Sequence, residues 1–194
     1  LEEQLNTLGN NKLILVDDFS SAEKNKNLSG KKFNIRIHRA DFIEWFLANA
    51  SKVNQMYHIG ARTDTTETDS KIFEDLNLNY SKTLWQICSD YDIPFIYASS
   101  AATYGIGDFG FDDNHDIVPK LKPLNAYAVS KNNFDKWVLE QDKRPTFWAG
   151  FKFFNVYGPN EFHKGMMASV VFHTFNQVNK TGRMKLFKSH NINY

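Results

Sequence analysis

Short apolar runs alternate with longer amphipathic stretches along most of the chain, and this alternation predicts its elements. Residues 12–17, 33–37, 53–59, 94–99 and 147–154 read as strands, being short, apolar and bounded by turn residues. Residues 41–50, 69–91, 125–141 and 167–179 read as helices, because their apolar positions recur at three to four residues. Within 69–91 that stripe is Ile72, Phe73, Leu76, Tyr80, Leu84 and Ile87. Asp41 and Asn125 stand where helix N-caps belong. Residues 1–8 read as the end of a helix closed by Gly9, residues 17–32 as a polar loop, 100–124 as a long loop, and 184–187 as the start of a further strand. Strands alternating with helices predict an α/β fold with a parallel sheet covered on both faces. In such sheets ligands bind beyond the carboxyl ends of the strands. Asp17, Gly60, Ala61, Ser99, Ser100 and Asn155 fall at those ends.

Composition narrows the functional classes. The chain has 194 residues, 23 Lys and Arg against 22 Asp and Glu, and a formal net charge of +1. The charges are scattered, which argues against nucleic acid or a membrane surface as a partner held by bulk charge. A single cysteine, Cys88, excludes an intrachain disulfide and fits a reducing compartment. It lies in an apolar helical stripe and reads as a buried thiol. No stretch reads as a membrane span or a signal peptide. Six dispersed His and no Cys pair give no metal site. Ser100 lacks the Gly-x-Ser-x-Gly setting of a hydrolase nucleophile.

The chemistry points instead to Tyr127-Ala-Val-Ser-Lys131. A Tyr and a Lys four apart share one helical face. An ammonium beside a phenol favours the phenolate and makes a general base that works near neutral pH. Ser100, at the end of an apolar strand, could hydrogen-bond the same substrate oxygen. A serine at a strand end followed by Tyr and Lys on the next helix resembles the short-chain dehydrogenase/reductase superfamily.

Four motifs in order sharpen that resemblance: Tyr97-Ala-Ser-Ser-Ala-Ala-Thr-Tyr-Gly105, Tyr127-Ala-Val-Ser-Lys131, Phe153-Phe-Asn-Val-Tyr-Gly-Pro159 and His163-Lys-Gly-Met-Met-Ala-Ser169. Together they resemble the ADP-L-glycero-D-manno-heptose 6-epimerase family, extended short-chain dehydrogenases of lipopolysaccharide-core precursor synthesis. The first three occur in many nucleotide-sugar epimerases; the fourth points to the heptose enzymes. The resemblance implies a Rossmann-like doubly wound sheet over 1–155 and the start of a small substrate domain over 156–194. It implies a cytoplasmic homo-oligomer, a pentamer, that binds NADP and inverts C6 of the heptose of an ADP-sugar by transient oxidation. Tyr127 and Lys164 would be the two acid/bases, since inversion needs proton handling on two faces. Lys131 would hold the nicotinamide ribose, and Ser100 the reacting oxygen. Asp17, Asp18, Lys24, Ile59, Gly60, Ala61, Arg62, Thr63, Asn77 and Val156 would complete the cofactor site with Lys131. Asn155, His173, Phe187, Lys188, Ser189 and His190 would join Ser100 and Lys164 around the substrate. His173 is equally readable as a core histidine among Val170, Phe172 and Phe175.

The chain also departs from the family pattern. The Gly-x-x-Gly-x-x-Gly turn and first strand are missing, which predicts a longer natural protein. That protein would carry a glycine-rich turn before Leu1 and about 100 residues after Tyr194. Two adjacent acids, Asp17 and Asp18, commonly hold an adenosine ribose and keep NAD open beside NADP. Met166 and the loop 106–122 differ from the family and leave the sugar open. A UDP-hexose 4-epimerase or a catalytically idle NAD(P)-binding module are the other readings. A dehydratase would need an added acid near the serine, and Ala101-Ala102-Thr103 supplies none.

Overall fold

A computed structural model describes residues 1–10, 12–64, 67 and 69–185. They form two compact units, one of 1–20 with 30–154, the other of 21–29 with 155 onward.

The first unit carries all five strands: β1 (Ile14–Asp17), β2 (Ile35–His38), β3 (Met56–His58), β4 (Phe95–Ser100) and β5 (Trp148–Phe153). All pairings are parallel. They make two ladders, β1-β2 and β3-β4-β5. Among the described residues no ladder joins β1 to β3. The predicted sheet is thus present as two parallel pieces.

Helices α1 (Glu2–Thr7), α3 (Arg39–Asn49), α4 (Ser70–Phe73), α5 (Tyr80–Asp90) and α6 (Ala126–Leu139) belong to this unit, and α2 (Ala22–Asn25) and α7 (Val170–Thr181) to the other. Three boundaries differ from the sequence reading. The polar loop 17–32 contains α2, started by the Ser21 side chain capping the Lys24 amide, and a 3-10 turn at Lys26–Leu28. Helix α3 starts at Arg39 because the His38 ring, not Asp41, accepts from the Ala40 amide. Helix α7 starts at Val170 behind a Ser169 cap, while 162–167 form a 3-10 segment. Asn125 caps α6 as expected, accepting from the Ala128 amide. Met184 and Lys185 lie in no regular element, and the rest of that expected strand falls outside the described residues.

The long helix predicted over 69–91 is interrupted. Between α4 and α5 the backbone opens into a π-helical segment, Glu74–Asn79. Such bulges are uncommon and tend to mark functional places. Here it buries Asn77.

One core serves both ladders. Phe42 and Phe46 of α3, Leu84, Trp85 and Cys88 of α5, Phe134 and Val138 of α6, and Phe95 and Tyr97 of β4 pack together, with Ile14 and Val16 of β1 against them. The Trp85 ring meets Phe95 and Trp148 edge-on, at 5.5 and 5.4 Å between centroids. Burial pushes the Cys88 thiol up to about 12, so it is inert at neutral pH.

Gly150 of β5 lies opposite Tyr97 of β4 in the register. A Cβ at Gly150 would collide with the Tyr97 ring. The missing side chain gives that ring its path across the neighbouring strand. Gly150→Ala is therefore expected to destabilise the full-length protein by about 2 kcal/mol through overpacking. An unchanged urea midpoint would contradict this.

Candidate active site

Helix α6 buries a stripe of Ala128, Lys131, Phe134, Asp135 and Val138, with Ser130 and Asn132 buried beside it. The stripe positions recur at three to four residues, so the inward stripe is helical, but two of its members carry charge. Tyr127 sits beside the stripe, half-buried, with its ring edge-on to Phe73 at 6.4 Å. Lys131 turns in toward β4 and donates from Nζ to the Ala98 carbonyl at 2.8 Å. Burial pulls its ammonium down to about 8, and Asp135 acts the other way.

Strand β4 ends at Ser100, whose Oγ caps a 3-10 turn at Ala101–Tyr104 by accepting from the Ala102 amide at 3.2 Å. That leaves its proton available for a substrate oxygen. Gly105 closes this segment with φ +62°, and a Cβ there would strike the Lys122 carbonyl. Lys131 and Ser100 thus meet one strand end, two residues apart along β4.

Asn77 supplies a clamp. Its Oδ1 accepts from the Arg62 amide (2.8 Å), and its Nδ2 donates to the Arg62 carbonyl (3.0 Å) and to Ser130 Oγ (3.0 Å). Ser130 Oγ in turn donates to the Tyr127 carbonyl at 2.7 Å. The loop after β3, with Ile59, Gly60, Ala61, Arg62 and Thr63, is therefore tied to the helix that carries Tyr127. A Cβ on Gly60 would meet nothing within 4 Å, so backbone there is open to a ligand. The Arg62 guanidinium faces Asp64 and Glu67, at 3.4 and 3.6 Å.

At the end of β1, Asp17 accepts from the Asp18 amide at 2.7 Å. Asp18 accepts from the Ser20 amide and lies 3.6 Å from Arg39 and 3.9 Å from His38. Bonds from Ser20, then the charges of Arg39 and His38, hold its carboxyl below the usual range.

The second unit holds the other expected residues. Lys24 lies in α2, Asn155 and Val156 are exposed at its start, and Lys164 is exposed in the 3-10 segment Phe162–Met167. Buried Glu161 frames that segment. Its carboxylate accepts from the Gly158 amide (2.9 Å) and from the Ser169 amide (2.6 Å) and hydroxyl (3.0 Å). These bonds, the Ser169 amide first, lower its pKa. Asn27 donates to the Asn160 carbonyl at 3.2 Å within the same unit. His173 is half-buried on α7, its ring edge-on to Phe172, while Val170 and Phe175 are exposed. It is not a core histidine among the described residues. Phe187, Lys188, Ser189 and His190 lie outside them.

The sequence signature of the NAD dependent epimerase/dehydratase family matches residues 1–191. The chain belongs to that family. A Fusobacterium nucleatum protein named ADP-L-glycero-D-manno-heptose-6-epimerase is 44% identical over 193 residues, 96% of this chain and 58% of that protein. One of the same name from Nitratidesulfovibrio vulgaris is 40% identical over 98% of this chain and 59% of its own length. This chain thus spans under three fifths of those relatives. The Helicobacter pylori ADP-L-glycero-D-manno-heptose-6-epimerase crystal structure superposes with a TM-score of 0.79 at 27% identity, covering 96% of this chain and 61% of that one. A Thermotoga maritima UDP-glucose 4-epimerase structure gives 0.74 at 17% identity, covering 96% and 61%, and shares the fold.

For this epimerase/dehydratase chain, the sequence reading omitted a buried layer beneath Ser100. Asp135 accepts from Tyr97 Oη (3.1 Å), Ser99 Oγ (2.6 Å) and Lys152 Nζ (2.5 Å). Ser99 is thereby turned inward, toward Asp135. Lys152 also donates to Thr103 Oγ1 at 2.8 Å. A charge inside the apolar strand 148–153, and another one turn beyond Lys131, were the signals that could have found this layer. Among the described residues no cluster of His, Cys, Asp or Glu could hold a metal. No helix among them is long and apolar enough to cross a membrane.

Proposed function

We propose that the protein containing this chain is a nucleotide-sugar epimerase that inverts C6 of an ADP-heptose, feeding lipopolysaccharide-core precursors. The observation that carries the reading is Ser100 and Lys131 meeting one strand end, with Tyr127 four residues before Lys131 on α6, in a chain 44% identical to a relative named for that reaction. Bound NADP would accept and return a hydride at the sugar carbon. Tyr127 takes the hydroxyl proton as that carbon is oxidised, and the Ser100 hydroxyl holds the same oxygen. Lys131 holds the nicotinamide ribose. Return on the opposite face needs a second proton-handling group, which we assign to Lys164. Asn155 and His173 would line the substrate side, and Val156 the cofactor side.

The geometry at Asp18 supports NADP over NAD. A free carboxylate would repel a ribose 2′-phosphate. This one is paired with Arg39 at 3.6 Å, which places a guanidinium at the strand end for such a phosphate. Such an enzyme, acting on a water-soluble nucleotide sugar, would work in the cytoplasm, as a homo-oligomer by resemblance to its family.

The test uses the full-length protein with NADP and ADP-D-glycero-D-manno-heptose, following C6 inversion by NMR. Tighter binding of NADP than of NAD is expected; failure to invert C6 would refute the reading. Lys164→Ala is expected to cut inversion about 100-fold or more while leaving NADP affinity within about threefold. Near-wild-type turnover would remove Lys164 from the mechanism.

A further inference from the structure

Asp135 and Lys152 take no part in the chemistry above, yet Asp135 is buried and Lys152 is largely covered. The Lys152 and Asp135 side chains are only 13% and 6% exposed. Burying an ion pair is costly unless its remaining donors and acceptors are met. Here they are met by groups that define the site. Asp135 accepts hydrogen bonds from the hydroxyls of Tyr97 and Ser99, the residues flanking Ala98, whose carbonyl receives Lys131. Lys152 holds Thr103 Oγ1, and that hydroxyl donates to the Ser100 carbonyl at 2.7 Å. The Lys152 ammonium also lies 5.4 Å from the Tyr104 ring centroid, a cation–π contact. The pair therefore grips β4 from Tyr97 to Ser100 on both sides of the Lys131 contact.

The charges form a closed set. Two ammoniums, buried Lys131 and largely covered Lys152, lie near one carboxylate, Asp135, which accepts a short bond from Lys152 and by its charge raises the pKa of Lys131. His58 on β3 is neutral, since burial and then Lys131 pull it down to about 3. Tyr97 and Tyr104 are protonated phenols, raised by burial first. Tyr127 adds a half-buried phenol from α6 itself. The charged groups on the other segments packed against α6, Lys71, Glu74, Asp75, His115, Asp116 and Lys120, are exposed.

We propose that Asp135 and Lys152 are a positioning pair that fixes the strand end bearing Ser100 and leaves the site with one unit of positive charge, held on Lys131. The proposal rests on the reading of Lys131 as partner of the acid/base phenol and deepens it. Asp135 sets how much charge Lys131 keeps, and Lys152 sets how much of Asp135 is spent elsewhere. The two substitutions must then act in opposite directions.

The experiment titrates the Lys131 ammonium by NMR in the full-length, 15N-lysine-labelled protein with cofactor bound, and measures kcat and KM against pH. Asp135→Asn is expected to lower the Lys131 midpoint by about one unit. At pH 8 that takes its charged fraction from about a half to about a tenth. Lys152→Met is expected to raise the midpoint, and Lys152→Arg, which keeps the pair, to leave it in place. In active protein, kcat and its pH limb follow these shifts while substrate KM stays within about twofold. Midpoints unmoved in both variants, or moved the same way, overturn the proposal. Should Asp135→Asn fail to fold, the Lys152 pair still decides. Opposite shifts in a protein that does not invert ADP-heptose would support the pair and sink only the substrate reading. Turnover with unmoved midpoints would do the reverse.

Discussion

Tyr127→Phe in the full-length protein is expected to lower kcat for C6 inversion by about 10³-fold. The substitution removes one oxygen and little else. The edge contact with Phe73 is made by the ring and survives. The backbone clamp through Ser130 uses the Tyr127 carbonyl, which Phe also has. Lys131 keeps its bond to Ala98. Affinity for NADP and for the nucleotide sugar should therefore change by less than about threefold, and the loss should fall on kcat. Single-turnover reduction of bound cofactor separates the steps. If that rate is also lost, Tyr127 serves the oxidation half. If Tyr127→Phe keeps more than a tenth of wild-type kcat, the phenol is not the acid/base and the mechanism must be redrawn.

Local patterns carried the elements well where periodicity was strong. The buried stripe of α5 and the apolar run of β4 both announced themselves. The placing of Tyr127 and Lys131 on one helix was equally legible, because helical spacing is a property of sequence alone. Short segments were harder. Helix α2 has four residues and no buried side chain, so no stripe could reveal it. The cap of α3 comes from a His, which composition does not mark as a capping residue.

The layer under the site was invisible for a different reason. Asp135 meets Tyr97, Ser99 and Lys152, which are 17 to 38 residues away in the chain. Such contacts depend on strand order and register, which no window of sequence contains. Asn77 belongs to the same class. It was named only through the family resemblance. Its partners at Arg62 and Ser130 lie 15 and 53 residues off. The π-helical segment that turns it inward breaks the periodicity on which helix prediction relies.

Acidification is expected to expose His58. Its Nε2 lies 2.7 Å from Ser81 Oγ, and the Ser81 hydroxyl donates to the Asn77 carbonyl. That hydroxyl has one proton, already committed, so Nε2 must carry the hydrogen between the two and the imidazole is neutral. Burial, followed by the nearby Lys131 charge, lowers its pKa from 6.5 to about 3. The unfolded chain therefore binds a proton there that the folded protein refuses between those values. Stability contributed by the neutral ring is complete above pH 6.5 and falls away as pH drops toward 3. The loss is about 2 kcal/mol at pH 5 and about 3 kcal/mol at pH 4. The carboxyls held low at Asp18, Asp92 and Glu161 push the same way, but only as pH nears their ordinary range and below. The interval from pH 7 to 5 thus isolates His58. His58→Gln keeps a donor toward Ser81 without the titration. Urea unfolding of the full-length protein should show about 2 kcal/mol less loss over that interval in His58→Gln than in the wild type. Parallel stability curves would mean that His58 accepts its proton without cost, and that the neutral, Nε2-protonated ring is not what holds β3 to the π-helical segment and α5, which carry Asn77 and Ser81.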